Sequence, residues 1–232
     1  LLISAMMAVF GCAVVLARGM SGRHATILVF GGAGLLALTY LLLYPATNND
    51  LFHYVMEARI LWVHHSNPFT VPPDNFPSDP FYPTTVWSSL PSPYGPAWIL
   101  FTALPLLIGH GAAIWTFISF KLLAVAFYFL AAVIIFHTVR YLRPGSEWSA
   151  TVLWTWNPLV LLYVGGNGAN DVIMMAWAIF AVYLGTQGRW RLAFPILALA
   201  TLVKFVTAVL IPVFIFYALL TTPRQQWRMI AE

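Results

Sequence analysis

The chain has 232 residues, of which 61% are hydrophobic, 16% aromatic and only 8% charged, with a net charge of +4 and a mean hydropathy of +0.82. A water-soluble domain carries about 25% charged residues to cover its surface, so this composition excludes an ordinary soluble core and marks a chain solvated by lipid. The scarce Lys and Arg sit at the ends of apolar segments, a pattern of membrane topology rather than of nucleic-acid binding.

A backbone in lipid must satisfy its own hydrogen bonds, and no barrel-like alternation is visible. The expected fold is therefore all-α, a polytopic transmembrane helical bundle of about six spans, since each crossing needs about 20 apolar residues. Residues 1–17 form the first expected span, which contains the lone Cys12 and ends at Arg18; one cysteine leaves no intrachain disulfide or cysteine metal site. Residues 25–44 form the second, stopped by Pro45. Arg18 and Arg23 between them place that loop in the cytoplasm. The loop from Ala46 to Gly111 is then extracytoplasmic.

Helical spacing begins after Asn49. Asp50, His53, Tyr54 and Glu57 recur at i, i+3, i+4 and i+7, which predicts an interfacial helix with its acidic stripe toward water. Asn48 or Asn49 is its cap. Nine of the sixteen prolines and four of the seven acidic residues fall between Asn48 and Pro96. Phe76, Phe81, Tyr82 and Trp87 lie among those prolines, either as an aromatic belt at headgroup depth or as a rigid platform for a sugar ring.

Residues 97–109 are too few to cross and are expected to lie in the interface or re-enter. Spans follow at 112–139, 149–164 and 172–186. On this topology Arg140, Arg143, Arg189 and Arg191 join Arg18 and Arg23 in the cytoplasm, Arg59 is outside, and Asn170-Asp171 emerges on the side of Asp50. Residues 192–220 form either one long span or, as the basic flanks Arg189/Arg191 and Arg224/Arg228 favour, two half-helices meeting near Lys204. Lys121 lies within a span, where an ionisable group is costly; a functional role and a buried or snorkelling one are both open. The first and last residues read as those of a single transmembrane domain, 1–232, within a longer chain.

Several motifs stand in a set order: Asn49-Asp50 with Tyr54 and Arg59, Asn67-Pro68-Phe69, Pro93-Tyr94-Gly95-Pro96, Asn157-Pro158-Leu159, Asn167-Gly168-Ala169-Asn170-Asp171, and Lys204. In this order they resemble the polytopic glycosyltransferases of the GT-C superfamily, and among them the bacterial polyprenyl-phosphomannose-dependent alpha-mannosyltransferases. The chain departs from the family pattern at Ala58, where the family has Gly, at Phe69, where it has Tyr, and at Ala169, where it has His.

The resemblance implies an integral protein of the bacterial inner membrane. It would move a sugar, mannose by analogy, from a polyprenyl-phosphate donor to a glycan or lipid acceptor outside the cytoplasm. The family's general base falls on Asp50, which would take the acceptor proton as the new bond forms. Substrate-binding roles are carried over to Tyr54, Glu57, Arg59, Asn67, Tyr94, Asn167, Asn170, Asp171 and Lys204. Arg59, Lys204 and the helix N-terminus near Asn170 are the candidates to meet the donor phosphate. Asp171 and Asn170 could bind acceptor hydroxyls, support Asp50 or hold a divalent metal with it; two carboxylates from separate loops are too few to argue the metal, and no cofactor is assigned. The alternative is a non-catalytic GT-C-like scaffold subunit of a larger membrane complex, photosynthetic or respiratory. A transporter would show repeat symmetry between halves, and none is visible.

Overall fold

The structure is a computed structural model that describes residues 2–45 and 47–221, and every regular element among them is helical. The order is α1 (Leu2–Leu16), α2 (Gly22–Thr26) running through a π turn into α3 (Gly32–Leu41), α4 (Asp50–Trp62), α5 (Pro96–Phe101) and α6 (Ala103–Gly109). There follow α7 (Ala113–Leu142), α8 (Glu147–Thr155), α9 (Pro158–Leu161), α10 (Asp171–Thr186), α11 (Trp190–Val203) and α12 (Leu210–Thr221).

Two rods are long and apolar enough to cross a bilayer, Gly22–Leu41 and Ala113–Leu142. At 1.5 Å per residue, α7 reaches about 45 Å, more than the hydrocarbon thickness of about 30 Å. The other expected spans are shorter or interrupted. The stretch 149–164 breaks where Pro158, which has no N–H, cannot continue the α8 ladder; Asn157 Oδ1 restarts it by accepting from the Leu159 N–H at 3.0 Å. The outward faces remain apolar, with Leu35, Ile114, Val209 and Phe216 all exposed.

The stretch 192–220 is a hairpin rather than one rod. Lys204 is extended (φ −152°, ψ 120°) between α11 and a 3-10 turn. The chain reverses there, so that Trp190 at the start of α11 packs on Phe214 and Tyr217 of α12, with ring centroids 6.3 and 5.6 Å apart. Arg224 and Arg228, which were expected to flank this hairpin, lie outside the described residues, as does Ala46.

The main departure from the sequence reading is α4. Its polar face does not lie on water: His53, Tyr54 and Glu57 are as buried as Leu51, Val55 and Met56. The proline-rich loop folds back over the helix, while α5 and α7 pack against it, so both faces are covered. Leu51, Tyr54, Val55, Trp98, Phe120, Tyr128 and Ile173 form the centre of the core. Two smaller clusters tie α10 to the α11–α12 hairpin and α1 to α8.

Charges divide between the two ends of the bundle. Arg18 and Arg143 line one cavity of about 420 Å³ where α1, α7 and α8 meet. Asp50, Asp171 and Lys204 gather at the opposite end.

Candidate active site

The site is built where α3 ends, α4 and α10 begin and α11 stops. Asp50 is the first residue of α4, where a carboxylate complements the helix dipole. Asn48 clamps it twice: the Asp50 N–H donates to Asn48 Oδ1, and Asn48 Nδ2 donates to Asp50 Oδ2, each at 2.8 Å. Asn49 occupies the N-cap position without a side-chain bond, and Asn48, one residue earlier, supplies the side-chain acceptor. The Tyr54 hydroxyl, one turn on, lies 3.4 Å from the same Oδ2 and donates at 3.1 Å to Asn170 Oδ1. Among the described residues, no side chain donates to Asp50 Oδ1. One carboxylate oxygen is held and the other is left open in a half-buried position.

Asn170 precedes α10 and is fully buried, with its Nδ2 lacking a partner among the described residues. Asp171 opens α10, and its Oδ1 accepts from Lys204 Nζ at 2.8 Å. The Lys204 ammonium also lies 5.6 Å from the centre of the Tyr94 ring, and that ring meets Tyr54 edge-on at 5.1 Å. Gly95 makes this possible. Its N–H donates to Val203 O at 3.1 Å, and a Cβ there would stand 2.0 Å from Leu202 O. Only a residue without a side chain lets the Tyr94 loop dock on the end of α11. Asn167 Nδ2 donates to Thr47 Oγ1 at 2.7 Å, tying the α9–α10 turn to the segment before Asp50.

Seven of the residues singled out in the sequence therefore meet in one connected set: Asp50, Tyr54, Tyr94, Asn167, Asn170, Asp171 and Lys204. Burial, and then the neighbouring negative charge of Asp50, hold the Tyr94 hydroxyl well above the usual phenol range; burial does the same for Tyr54. Both remain neutral donors at physiological pH. An apolar cavity of about 240 Å³ adjoins Asp171, walled by Leu159, Val160, Tyr163, Val172 and Met175, with Ala169 on its edge. Asp171 is engaged by a cation, and among the described residues no three His, Cys, Asp or Glu side chains gather as a metal set.

Three expected site residues stand apart. Arg59 Nε is committed to both oxygens of Asp79 at 2.9 Å, with its guanidinium 4.7 Å above the Phe81 ring. His64 Nε2 shares the same carboxylate at 2.7 Å. Arg59 is thus the bolt that fastens the proline-rich loop to α4. Burial would push the Asp79 carboxyl up, but the Phe81 N–H, His64 and Arg59 outweigh it and hold the group below its ordinary range. Glu57 is wholly buried beside His53 Nε2 at 3.2 Å, and burial raises its carboxyl pKa against the opposing pull of His53. Asn67 is exposed and accepts from the Phe69 N–H at 3.0 Å, which makes it a turn residue.

Asp79 was the residue the sequence concealed. The available signal was the need of a buried Arg59 for a carboxylate, with Asp74 and Asp79 the acids in the following loop.

The whole of this arrangement falls within one known family. Residues 2–220 match the family described as alpha-(1->6)-mannopyranosyltransferase, N-terminal domain, and the chain belongs to it. A relative, alpha-(1->6)-mannopyranosyltransferase A of Mycobacterium tuberculosis (strain ATCC 25618 / H37Rv), is 26% identical over 178 residues, covering 74% of this chain and 33% of that protein. The chain thus spans about a third of the length of that relative. No solved structure matches it.

Proposed function

We propose that this chain carries the catalytic half-site of a membrane glycosyltransferase that transfers mannose from a polyprenyl-phosphate donor to a glycan or lipid acceptor. Asp50 is the general base. Its open Oδ1 accepts the proton of the acceptor hydroxyl as the oxygen attacks the anomeric carbon. The bond from that carbon to the phosphate oxygen breaks, and the electron pair leaves with polyprenyl phosphate. Asn48 holds Oδ2 at 2.8 Å, with the Tyr54 hydroxyl packed beside it, and so aims Oδ1.

The observation that carries this reading is the single connected set that gathers a half-held carboxylate, a lysine and an apolar cavity at the N-terminus of α10. The cavity suits the first isoprene units of the donor. Lys204 and the N–H groups of Asp171 and Val172, which open α10, suit its phosphate, which would replace Asp171 as the partner of the lysine. The buried Nδ2 of Asn170 is available to a sugar oxygen.

The six-span bundle belongs to the same proposal, with Gly22–Leu41 and Ala113–Leu142 as full crossings and the shorter helices completing them. So does an inner-membrane location with the 46–111 loop outside the cytoplasm. That assignment rests on the separation of Arg18, Arg143 and their neighbours from the acidic end, as the charge rule requires. A non-catalytic scaffold is not favoured, because membership of a transferase family and burial of Tyr54 and Asn170 around Asp50 both speak for a working site.

The test is transfer of label from radiolabelled polyprenyl-phosphomannose to an acceptor glycan in membranes holding the full-length protein. A sugar-nucleotide donor is run in parallel. Label from the lipid donor supports the proposal. Transfer from the nucleotide alone, or none from either, refutes the donor assignment. A cysteine at Ser88 should react with an impermeant thiol reagent from outside; reaction only after lysis would reverse the orientation.

A further inference from the structure

Lys121 takes no part in the set described above, yet it is 3% exposed within α7. Its ammonium donates to three carbonyls at the end of α3: Tyr40 at 3.3 Å, Leu41 at 2.6 Å and Leu43 at 2.7 Å. The last carbonyls of a helix have no partner within it, and they carry the negative end of its dipole. Among the described residues no carboxylate pairs with Lys121, so these carbonyls are its counter-charge. The lysine thereby fixes the point from which the chain leaves α3 and turns toward Thr47, Asn48 and Asp50.

The stem of the same side chain seats a second segment. A Cβ at Gly168 would stand 3.1 Å from Lys121 Cγ and 3.2 Å from Leu51 Cδ1. Gly168 has φ +67°, a conformation that favours glycine, so the Asn167–Asn170 turn is moulded directly onto the lysine and onto the neighbour of Asp50. Lys121 thus touches both arms of the site. One arm brings Asp50, and the other brings Asn170 and Asp171. The Asn167–Thr47 hydrogen bond joins the same two arms above it.

We infer that Lys121 is a positioning residue that sets the register between the Asp50 arm and the Asn170-Asp171 arm. It acts through its hold on the α3 terminus and on the Gly168 turn, and this role rests on the proposed transferase reading only where activity is concerned. Replacing it by an apolar side chain of similar length removes the donor from the Leu41 and Leu43 carbonyls, Tyr40 O keeping only the Leu43 N–H at 3.1 Å, and the α3 terminus then moves to find partners. The two arms separate, and Asp50 no longer faces the acceptor at hydrogen-bond range. Arginine, with several donors on a similar stem, should keep most of the hold.

The experiment uses the full-length protein with Cys12→Ser and the pair Thr47→Cys/Asn167→Cys, and scores cross-linking by a short bifunctional thiol reagent. The parent should cross-link efficiently. Lys121→Met should cut the yield several-fold, and Lys121→Arg should restore it. In the protein without the cysteine pair, Lys121→Met should lower kcat tenfold or more and change KM for the donor less than threefold, again with rescue by arginine. Gly168→Ala, which pushes on the same seat while leaving the carbonyl contacts in place, should open the cross-link as well. It decides the matter if Lys121→Met does not accumulate. Cross-linking undiminished by either substitution overturns the inference. A protein that shows no transfer but a lysine-dependent cross-link refutes the proposed function and leaves the positioning role standing.

Discussion

Replacing Asp50 by asparagine separates chemistry from architecture. The amide oxygen can occupy the place of Oδ2, where it still accepts from Asn48 Nδ2 at 2.8 Å and keeps the longer contact with Tyr54. An NH₂ group then stands where Oδ1 was, and it cannot accept the proton of the acceptor. Positioned general bases contribute about 10²–10⁴ in rate. At 1.36 kcal/mol per decade this is about 3–5 kcal/mol of barrier. The folded state loses far less: a carboxylate in the first turn of a helix is worth about 0.3–1 kcal/mol. The expected outcome is a kcat lower by two to four decades with KM and melting temperature nearly unchanged. Initial rates of label transfer from polyprenyl-phosphomannose in reconstituted vesicles measure the first, and thermal melting of the same preparation measures the second. Asp50→Ala should lose the rate and also the anchoring of Asn48. An asparagine variant within threefold of a fully active wild type would falsify the role given to Asp50.

Other substitutions probe the frame around it. Asp79→Ala leaves a largely buried Arg59 without its partner and should destabilise by about 3–5 kcal/mol, read as a lowered melting temperature and early proteolysis of the proline-rich loop. The carboxyl of Asp79 is depressed in the folded state. Its contribution is therefore present above the unfolded pKa and is lost as pH falls through the folded one; Asp79→Ala should flatten that acid limb of the stability profile. Glu57 has the opposite sign. Its raised carboxyl favours the folded state below its unfolded pKa, and that advantage drains away as pH rises toward the folded value, so Glu57→Gln should match wild type in acid and melt above it at higher pH. A lower melting temperature throughout would contradict the burial account. Gly95→Ala forces a Cβ onto Leu202 O and should cost about 1–3 kcal/mol or more, with transfer falling further because Tyr94 is drawn away from Lys204.

Much of the site could be read along the chain because its residues come in short motifs. Asn49-Asp50, Tyr94-Gly95, Asn170-Asp171 and Lys204 each carry a local reason to be noticed: a polar group at a helix start, a proline-bounded turn, or an ion in an apolar run. The break at Lys204 was legible for the same reason, since a charge between apolar residues limits a helix locally. Arg59 and Glu57 were misplaced because helical spacing reports which residues share a face, but not what covers that face. The partner of Arg59 is twenty residues away along an irregular loop, and no periodicity links them.

Composition alone pointed to a membrane chain and to helices, and every regular element among the described residues is helical. The order of motifs alone pointed to its family. Tertiary structure decided the rest: that α4 is buried rather than interfacial, that Arg59 belongs to Asp79, and that Lys121 caps α3 while carrying the Gly168 turn. Those facts depend on contacts between segments far apart in the chain, whose energies come from burial and pairing that no single segment can display. Asp50 could be nominated from its neighbours in sequence, but its surroundings exist only because Asn48 and Tyr54 converge on one of its oxygens in space, with Asn170 holding Tyr54 from behind.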